Sequence, residues 1–186
     1  DNGTATEEQI ALSKIIKYAA VNESQESSRV IIKIAGETNG ELSSFTDASQ
    51  VEAIEAYFKE IKVAGTPITI INYRADQLYL NLQIKRDAQI IDASGMDKLS
   101  ATYPVVEALQ DFMKELPFDG ELKLSALIDK LQVIPGVNDA TVLSAQSAWI
   151  NPEVNDYGIP QPIFISKIAE SGYFKVVNYD NIEYVV

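Results

Sequence analysis

The clearest pattern along the chain is the stretch DQLYLNLQIKRD. Leu78, Leu80, Leu82 and Ile84 interleave there with Gln77, Tyr79, Asn81, Gln83 and Lys85. A period of two predicts a strand with one face on a core and the other in water. Helical spacing dominates elsewhere. In TDASQVEAIEAYFKEIK, Val51, Ile54, Phe58 and Ile61 line one face, and Ser49-x-x-Glu52 supplies a capping box. In TYPVVEALQDFMKEL, Pro104 sits in the first turn, and Val105, Leu109, Phe112, Met113 and Leu116 face inward. SALIDKLQVI predicts a shorter helix that Pro135 stops, and Gly136 then turns the chain into the strand VNDATVLSAQSAWI.

The remaining elements follow from the same reasoning. TATEEQIALSKIIKYAA, with Thr4-x-x-Glu7 as a capping box and apolar Ile10, Leu12, Ile15, Ile16 and Ala19, predicts an N-terminal helix. NESQESS reads as a loop and RVIIKIA as a strand. GTPITIINYRADQLYLNLQIKRD reads as two strands joined by a tight connection at Tyr73–Asp76, where Asn72, Arg74 and Asp76 suit Asx-turn chemistry. The order strand, helix, strand, strand, helix, strand is that of a split βαβ, ferredoxin-like sandwich in the α+β class. It carries an N-terminal helix and a C-terminal β-rich extension. The expected divisions are an N-terminal helix and loop at 1–28, a core domain at 29–150, and a Pro-rich arm with a terminal β-hairpin at 151–186. The arm NPEVNDYGIPQP reads as irregular, and GYFKVVNYDNIEYVV as a hairpin turning near Asp180-Asn181.

Composition narrows the chemistry more than the fold. The 186 residues are 46% hydrophobic and 23% charged, values of an ordinary globular protein. Fifteen Lys and Arg against 27 Asp and Glu leave a net charge of −12, which repels phosphates and disfavours nucleic acid and anionic membrane. With no Cys and no His, thiol nucleophiles, disulfides, zinc thiolates and the commonest general base are excluded. No apolar run approaches the roughly 20 residues that span a bilayer, and no basic-then-apolar signal sequence opens the chain. Its start at Asp1 rather than Met reads as a fragment or a processed product.

Candidate sites weigh toward packing. AGETNGE and VAGTPI lack the spacings that wrap a phosphate at a helix start and read as turns. Glu52, Glu55 and Glu60 with Lys59 and Lys62 read as a solvated helix face. Asp119 with Glu121, and Asn138 with Asp139, do not match a calcium loop. No catalytic residue, cofactor site or metal site is assigned, and the chain is expected not to be an enzyme. The aromatic and Pro-rich C-terminal region supplies interface candidates instead: Trp149, Pro152, Tyr157, Pro160, Pro162, Tyr173, Tyr179 and Tyr184.

The order of short landmarks adds a family reading. Ala64-Gly65-Thr66-Pro67 before a strand, Pro104-Val105 opening a helix, Phe118-Asp119-Gly120 after it, Gly136-Val137 entering a strand and Gly172-Tyr173 near the end follow one another. Over roughly Arg29 to Tyr179 the chain resembles the C-terminal part of baseplate J-like proteins, wedge components of contractile phage tails and related injection machines. The resemblance implies a non-catalytic structural protein of a phage or prophage tail baseplate. It would be multimeric in the assembled machine and partnered by other baseplate or tail proteins, with no nucleic-acid or membrane partner. It would reside in the virion tail, and in the host cytoplasm during assembly. The chain is shorter than typical members, lacking most of their N-terminal region. Some relatives carry a nucleotidyltransferase label, but that chemistry needs a Gly-Ser turn followed by paired Asp ligands for magnesium, and no D-x-D follows a Gly-Ser here. The alternative is a small-molecule- or metal-binding enzyme domain on the same α+β plan.

Overall fold

A computed structural model describes residues 6, 7, 14–24 and 27–186. The chain is α+β, and its contacts group into two compact units, Asp1–Arg74 and Ala75–Val186. In the first unit, β1 (Tyr18–Glu23) runs antiparallel to β2 (Val30–Thr38). β2 turns through Asn39-Gly40, both at positive φ, into β3 (Glu41–Ser43). Helix α1 (Ala48–Ile61) then carries the chain to β4 (Ile68–Ile71), which pairs parallel with β2. Ile54 of α1 packs with Ile32 and Ile34 of β2, while Phe58, Ile68 and Ile70 close the edges of this small core.

The helix cap differs from expectation. Asp47 is the N-cap, and its side chain accepts from the Ser49 and Gln50 amides at 2.8 and 3.2 Å. Ser49 lies inside the first turn and its hydroxyl donates to the same carboxylate at 2.6 Å. Glu7 is helical, as the N-terminal helix expects, but that helix does not run on to Ala19. Lys14–Lys17 are not helical and Tyr18–Ala20 belong to β1. The proposed Thr4 cap, Ile10 and Leu12 lie outside the described residues.

The second unit is built on β5 (Asp76–Arg86). It is flanked on one side by antiparallel β7 (Val137–Ala148) and on the other by parallel β12 (Phe174–Val176) and β13 (Ile182–Val185). Every second residue of β5, from Leu78 to Ile84, is buried, as the alternation predicts. Helices α2 (Pro104–Glu115) and α3 (Leu124–Gln132) cover that face through Val105, Leu109, Leu127 and Leu131. Between them lies β6 (Glu121–Lys123), paired with β11 (Ser166–Ile168). A hairpin of β8 (Ile150–Asn151) and β9 (Asp156–Tyr157) follows β7, and β10 (Gln161–Pro162) returns to pair with Ser147 and Gln146.

Three expectations are revised by these pairings. A single split βαβ sandwich would place β2, β4, β5 and β7 in one sheet, but β2 and β4 share one sheet and β5 and β7 another. β5 takes β7, β12 and β13 as its partners, and after β4 the Asn72 side-chain amide donates to Phe45 O and its Oδ1 accepts from Phe45 N, at 2.9 and 2.8 Å. The residue after β4 is thereby held to the loop before α1. The arm is not wholly irregular either. Asn151 seeds the turn between β8 and β9 by accepting from Glu153 N, and Asn155 adopts positive φ. Finally, there is no terminal hairpin. β12 and β13 run the same way along successive parts of β5, with Val177 N bonded to Leu78 O and Leu82 N to Asn181 O. They form one edge strand with residues 178–181 looped out, because Phe174 and Val176 before the interruption and Ile182 and Tyr184 after it all reach the same core.

The segment after Asn151 is consequently part of the second unit. Ile163, Ala169, Phe174 and Val176 are buried members of its core. The landmark glycines also acquire reasons. Gly136 has φ +87 and backs directly onto Ile90 and Ile91, and Gly172 has φ +95 beneath the Phe118 ring.

Candidate functional site

The eight interface candidates fall into distinct settings. Tyr173 is buried, and its hydroxyl is pushed up to about 12 by burial, with the charges of Tyr157 and Asp76 adding to the effect. Tyr184 is half-buried with its ring laid on Gly95. Burial, then the neighbouring Asp92 and Tyr103, push it up to about 12 as well. Tyr179 packs against the main core, and the Tyr157 hydroxyl donates to Ala75 O at 2.9 Å. Trp149 lies under the Lys167 ammonium, 4.2 Å from the ring centroid. Of the prolines, Pro152 and Pro162 are exposed and Pro160 is half-buried. The aromatic rings are thus engaged within the unit, and the exposed surface of this region comes from other residues.

That surface lies on the segment joining β9 to β11. Ile159, Phe164 and Ile165 are 82%, 84% and 78% exposed, and Ile168 is about half exposed. Between Asp156 and Glu170 the chain carries no carboxylate and a single cation, Lys167, which sits by Trp149 and pairs with Glu170. In a protein of net charge −12 this segment is apolar with one cation of its own, and Glu121 and Lys123 of the paired β6 lie beside Ser166 and Ile168. Its backbone is fixed: Ile163 N donates to Ala145 O of β7 at 2.8 Å, and Ile165 O accepts from Leu124 N at the start of α3 at 3.0 Å. The buried Ile163 side chain anchors it between these bonds. Phe164 and Ile165 are therefore displayed outward from a tethered main chain. The sequence alone gives no sign of this, since consecutive apolar residues do not say which faces out.

A second cluster is centred on Asp76, which the sequence reading places in a surface turn. It is instead the first residue of β5 and fully buried. Its carboxylate accepts from Glu170 N at 2.8 Å and Ser171 N at 3.0 Å. Its own amide donates to Ser171 Oγ at 3.1 Å and to Tyr173 O at 2.9 Å. The Ser171 hydroxyl in turn donates to Tyr173 O at 3.0 Å. Desolvation outweighs these bonds and, with the nearby Glu170 charge as a smaller cause, raises the carboxyl above its ordinary value. Tyr157 and Tyr173, named separately from the sequence, both converge on Ala75-Asp76.

The acidic loop between β5 and α2 is occupied by its own backbone. Asp87 accepts from Gln89 N, Asp92 from Ser94 N and Met96 N, and Asp97 from Leu99 N and Ser100 N. Hydrogen bonds from Ser94 and from the Ser100 amide, respectively, hold Asp92 and Asp97 below the usual carboxylate range. Glu121 is likewise lowered, first by the Ser166 hydroxyl, and Asp139 accepts from Gln132. Among the described residues no group of three or more acidic side chains is placed to hold a metal ion, and no helix is long and apolar enough to cross a membrane. The chain matches no protein-family model and no curated protein.

Proposed function

We propose that the chain is a structural subunit of a contractile-tail baseplate, acting through surface contacts rather than catalysis. The sequence landmarks that resemble baseplate J-like proteins suggest the family. The observation that supports a contact role is the apolar strip Ile159–Ile168, uncharged except for Lys167 and fixed by backbone bonds to β7 and α3. Burying a Phe or Ile side chain against a neighbour contributes about 1.5–3 kcal/mol. A strip already tethered gives up little conformational entropy on docking. The reading needs rigid α+β modules and does not depend on a ferredoxin-like sandwich.

The test is the double substitution Phe164→Asp with Ile165→Asp in the producing phage or prophage. Because both side chains are exposed, the isolated protein should keep its circular dichroism spectrum and melting temperature. Electron microscopy should then show tails without complete baseplates. Normal particles carrying the doubly substituted chain would refute the contact assignment. Particles that never contain the wild-type chain would refute the baseplate reading itself.

A further inference from the structure

We infer that Asn39 is a site of spontaneous covalent modification, converting to isoaspartate at the tip of the β2–β3 hairpin and thereby unpairing β3. Three observations meet there. Asn39 and Gly40 are both exposed, with φ of 54 and 80, the backbone of a two-residue hairpin loop that Asn-Gly favours. Beyond its chain neighbours Gly40 has no atom within 4 Å of the point where a Cβ would stand, so nothing crowds the peptide that must rotate. Among the described residues no hydrogen bond holds the Gly40 amide, while Thr38 and Glu41 on either side are paired across the ladder.

The chemistry needs only water. The Gly40 nitrogen attacks Asn39 Cγ, the new N–Cγ bond forms, the Cγ–Nδ2 bond breaks, and the displaced proton leaves with Nδ2 as ammonia. Water then opens the five-membered imide. Cleavage between the ring nitrogen and Cγ gives aspartate. Cleavage between that nitrogen and the main-chain carbonyl carbon gives isoaspartate, whose backbone runs through Cβ and Cγ. A glycine nitrogen has no Cβ beside it and is the least shielded nucleophile the chain offers. Other asparagines lack one of these conditions. Asn151 precedes Pro152, whose nitrogen carries no proton. Asn155 is also exposed and at positive φ, but it precedes Asp156, whose side chain flanks the nitrogen. Asn81 lies within the β5–β7 ladder.

Isoaspartate adds one carbon to the main chain of a loop only two residues long. Such a loop sets the strand register through its own dihedrals, so the extra atom breaks the match of Thr38 with Glu41. β3 is three residues long and, among the described residues, pairs with β2 alone. The 2.9 Å bond between the Thr38 and Ser43 hydroxyls is lost with the pairing. The inference is independent of the baseplate reading, because it concerns this hairpin alone.

The test is to hold the full chain at mildly alkaline pH for some weeks and follow tryptic peptides by mass spectrometry. Peptide 34–59, whose single asparagine is Asn39, should gain one mass unit, with isoaspartate exceeding aspartate. Asn2-Gly3, the same dipeptide elsewhere in the chain, shows in the same digest that the reaction is running. An unchanged 34–59 peptide overturns the site, and so does equal conversion at Asn81 or Asn155. The converted chain, separated by anion exchange, should exchange its β3 amides about tenfold faster than fresh protein. Asn39→Asp, which adds the charge without the extra carbon, should exchange like fresh protein. Equal exchange in converted and fresh chains, or fast exchange in Asn39→Asp, would overturn the unpairing.

Discussion

The Pro135-Gly136 joint between α3 and β7 gives a sharp energetic test. Gly136 has φ +87, and a Cβ there would stand 2.7 Å from Ile90 Cγ2, 2.9 Å from Ile90 Cβ and 3.0 Å from Ile91 Cγ1. Its carbonyl also accepts from Asp87 N at 2.8 Å, so the turn cannot shift without loosening the end of β5. Gly136→Ala therefore combines left-handed strain of roughly 1–2 kcal/mol with overpacking of roughly 1–3 kcal/mol, for a total near 2–5 kcal/mol. The single tryptophan, Trp149, lies in the same unit and reports its unfolding. At a slope of about 2 kcal/mol per M, the urea midpoint should fall by roughly 1–2.5 M. Gly158→Ala is the control. Its Cβ would meet nothing nearer than Trp149 O at 3.7 Å, and the change should stay within about 0.5 kcal/mol. Ile90→Ala removes the closest atom, so the double variant should be less destabilised than the sum of the singles by about 0.5–3 kcal/mol. A Gly136→Ala protein with a wild-type midpoint would show that the joint is neither left-handed nor packed on Ile90.

Two further outcomes follow from the caps and the buried phenols. Asp47→Ala removes the acceptor of two first-turn amides in α1 and should cost about 1 kcal/mol. Thermal unfolding followed by far-ultraviolet circular dichroism should register the loss in the first unit, and an unchanged transition would mean the cap is dispensable. Tyr173 and Tyr184 hold their protons to about 12, whereas an unfolded tyrosine ionises near 10. The unfolded chain loses these protons first, so stability should fall as pH rises from about 10 to about 12 and be unaffected below that window. In a spectrophotometric titration, Gly95→Ala should bring one phenol back toward 10, because its Cβ would fall 2.2 Å from the Tyr184 ring. Two high-titrating phenols remaining in that variant would contradict the stacking of Tyr184 on Gly95.

What was legible in the sequence was set by local forces. The alternation of β5 and the apolar faces of α2 and α3 appear where the periods place them, because each buries its own stripe against one core. What escaped depended on partners distant along the chain. Tyr18–Ala20 have an apolar pattern compatible with either helix or strand, and pairing with residues 33–35 of β2 selects the strand. The ending GYFKVVNYDNIEYVV has the spacing of a hairpin. Its two strands instead meet β5 about a hundred residues earlier, where Gln83 bonds Glu183. Asp76 in a polar stretch reads as a turn residue, and its buried carboxyl is met by the amides of Glu170 and Ser171, nearly a hundred residues on.

The apolar strip shows the same limit from the opposite side. Ile163, Phe164 and Ile165 are three similar residues in a row, so composition gives no reason to bury the first and expose the next two. The choice is made by bonds from outside the segment. Ala145 O takes the Ile163 amide, and Leu124 N takes the Ile165 carbonyl, which fixes the main chain with only one side chain directed into the core. Exposing Phe164 and Ile165 forgoes about 1.5–3 kcal/mol each of burial that the fold leaves unused. An isolated chain gains nothing from that arrangement, whereas a subunit that docks through the strip recovers it on assembly. The proposed contact surface rests on this difference, and Leu99 at 98% exposure shows that exposure alone does not mark one.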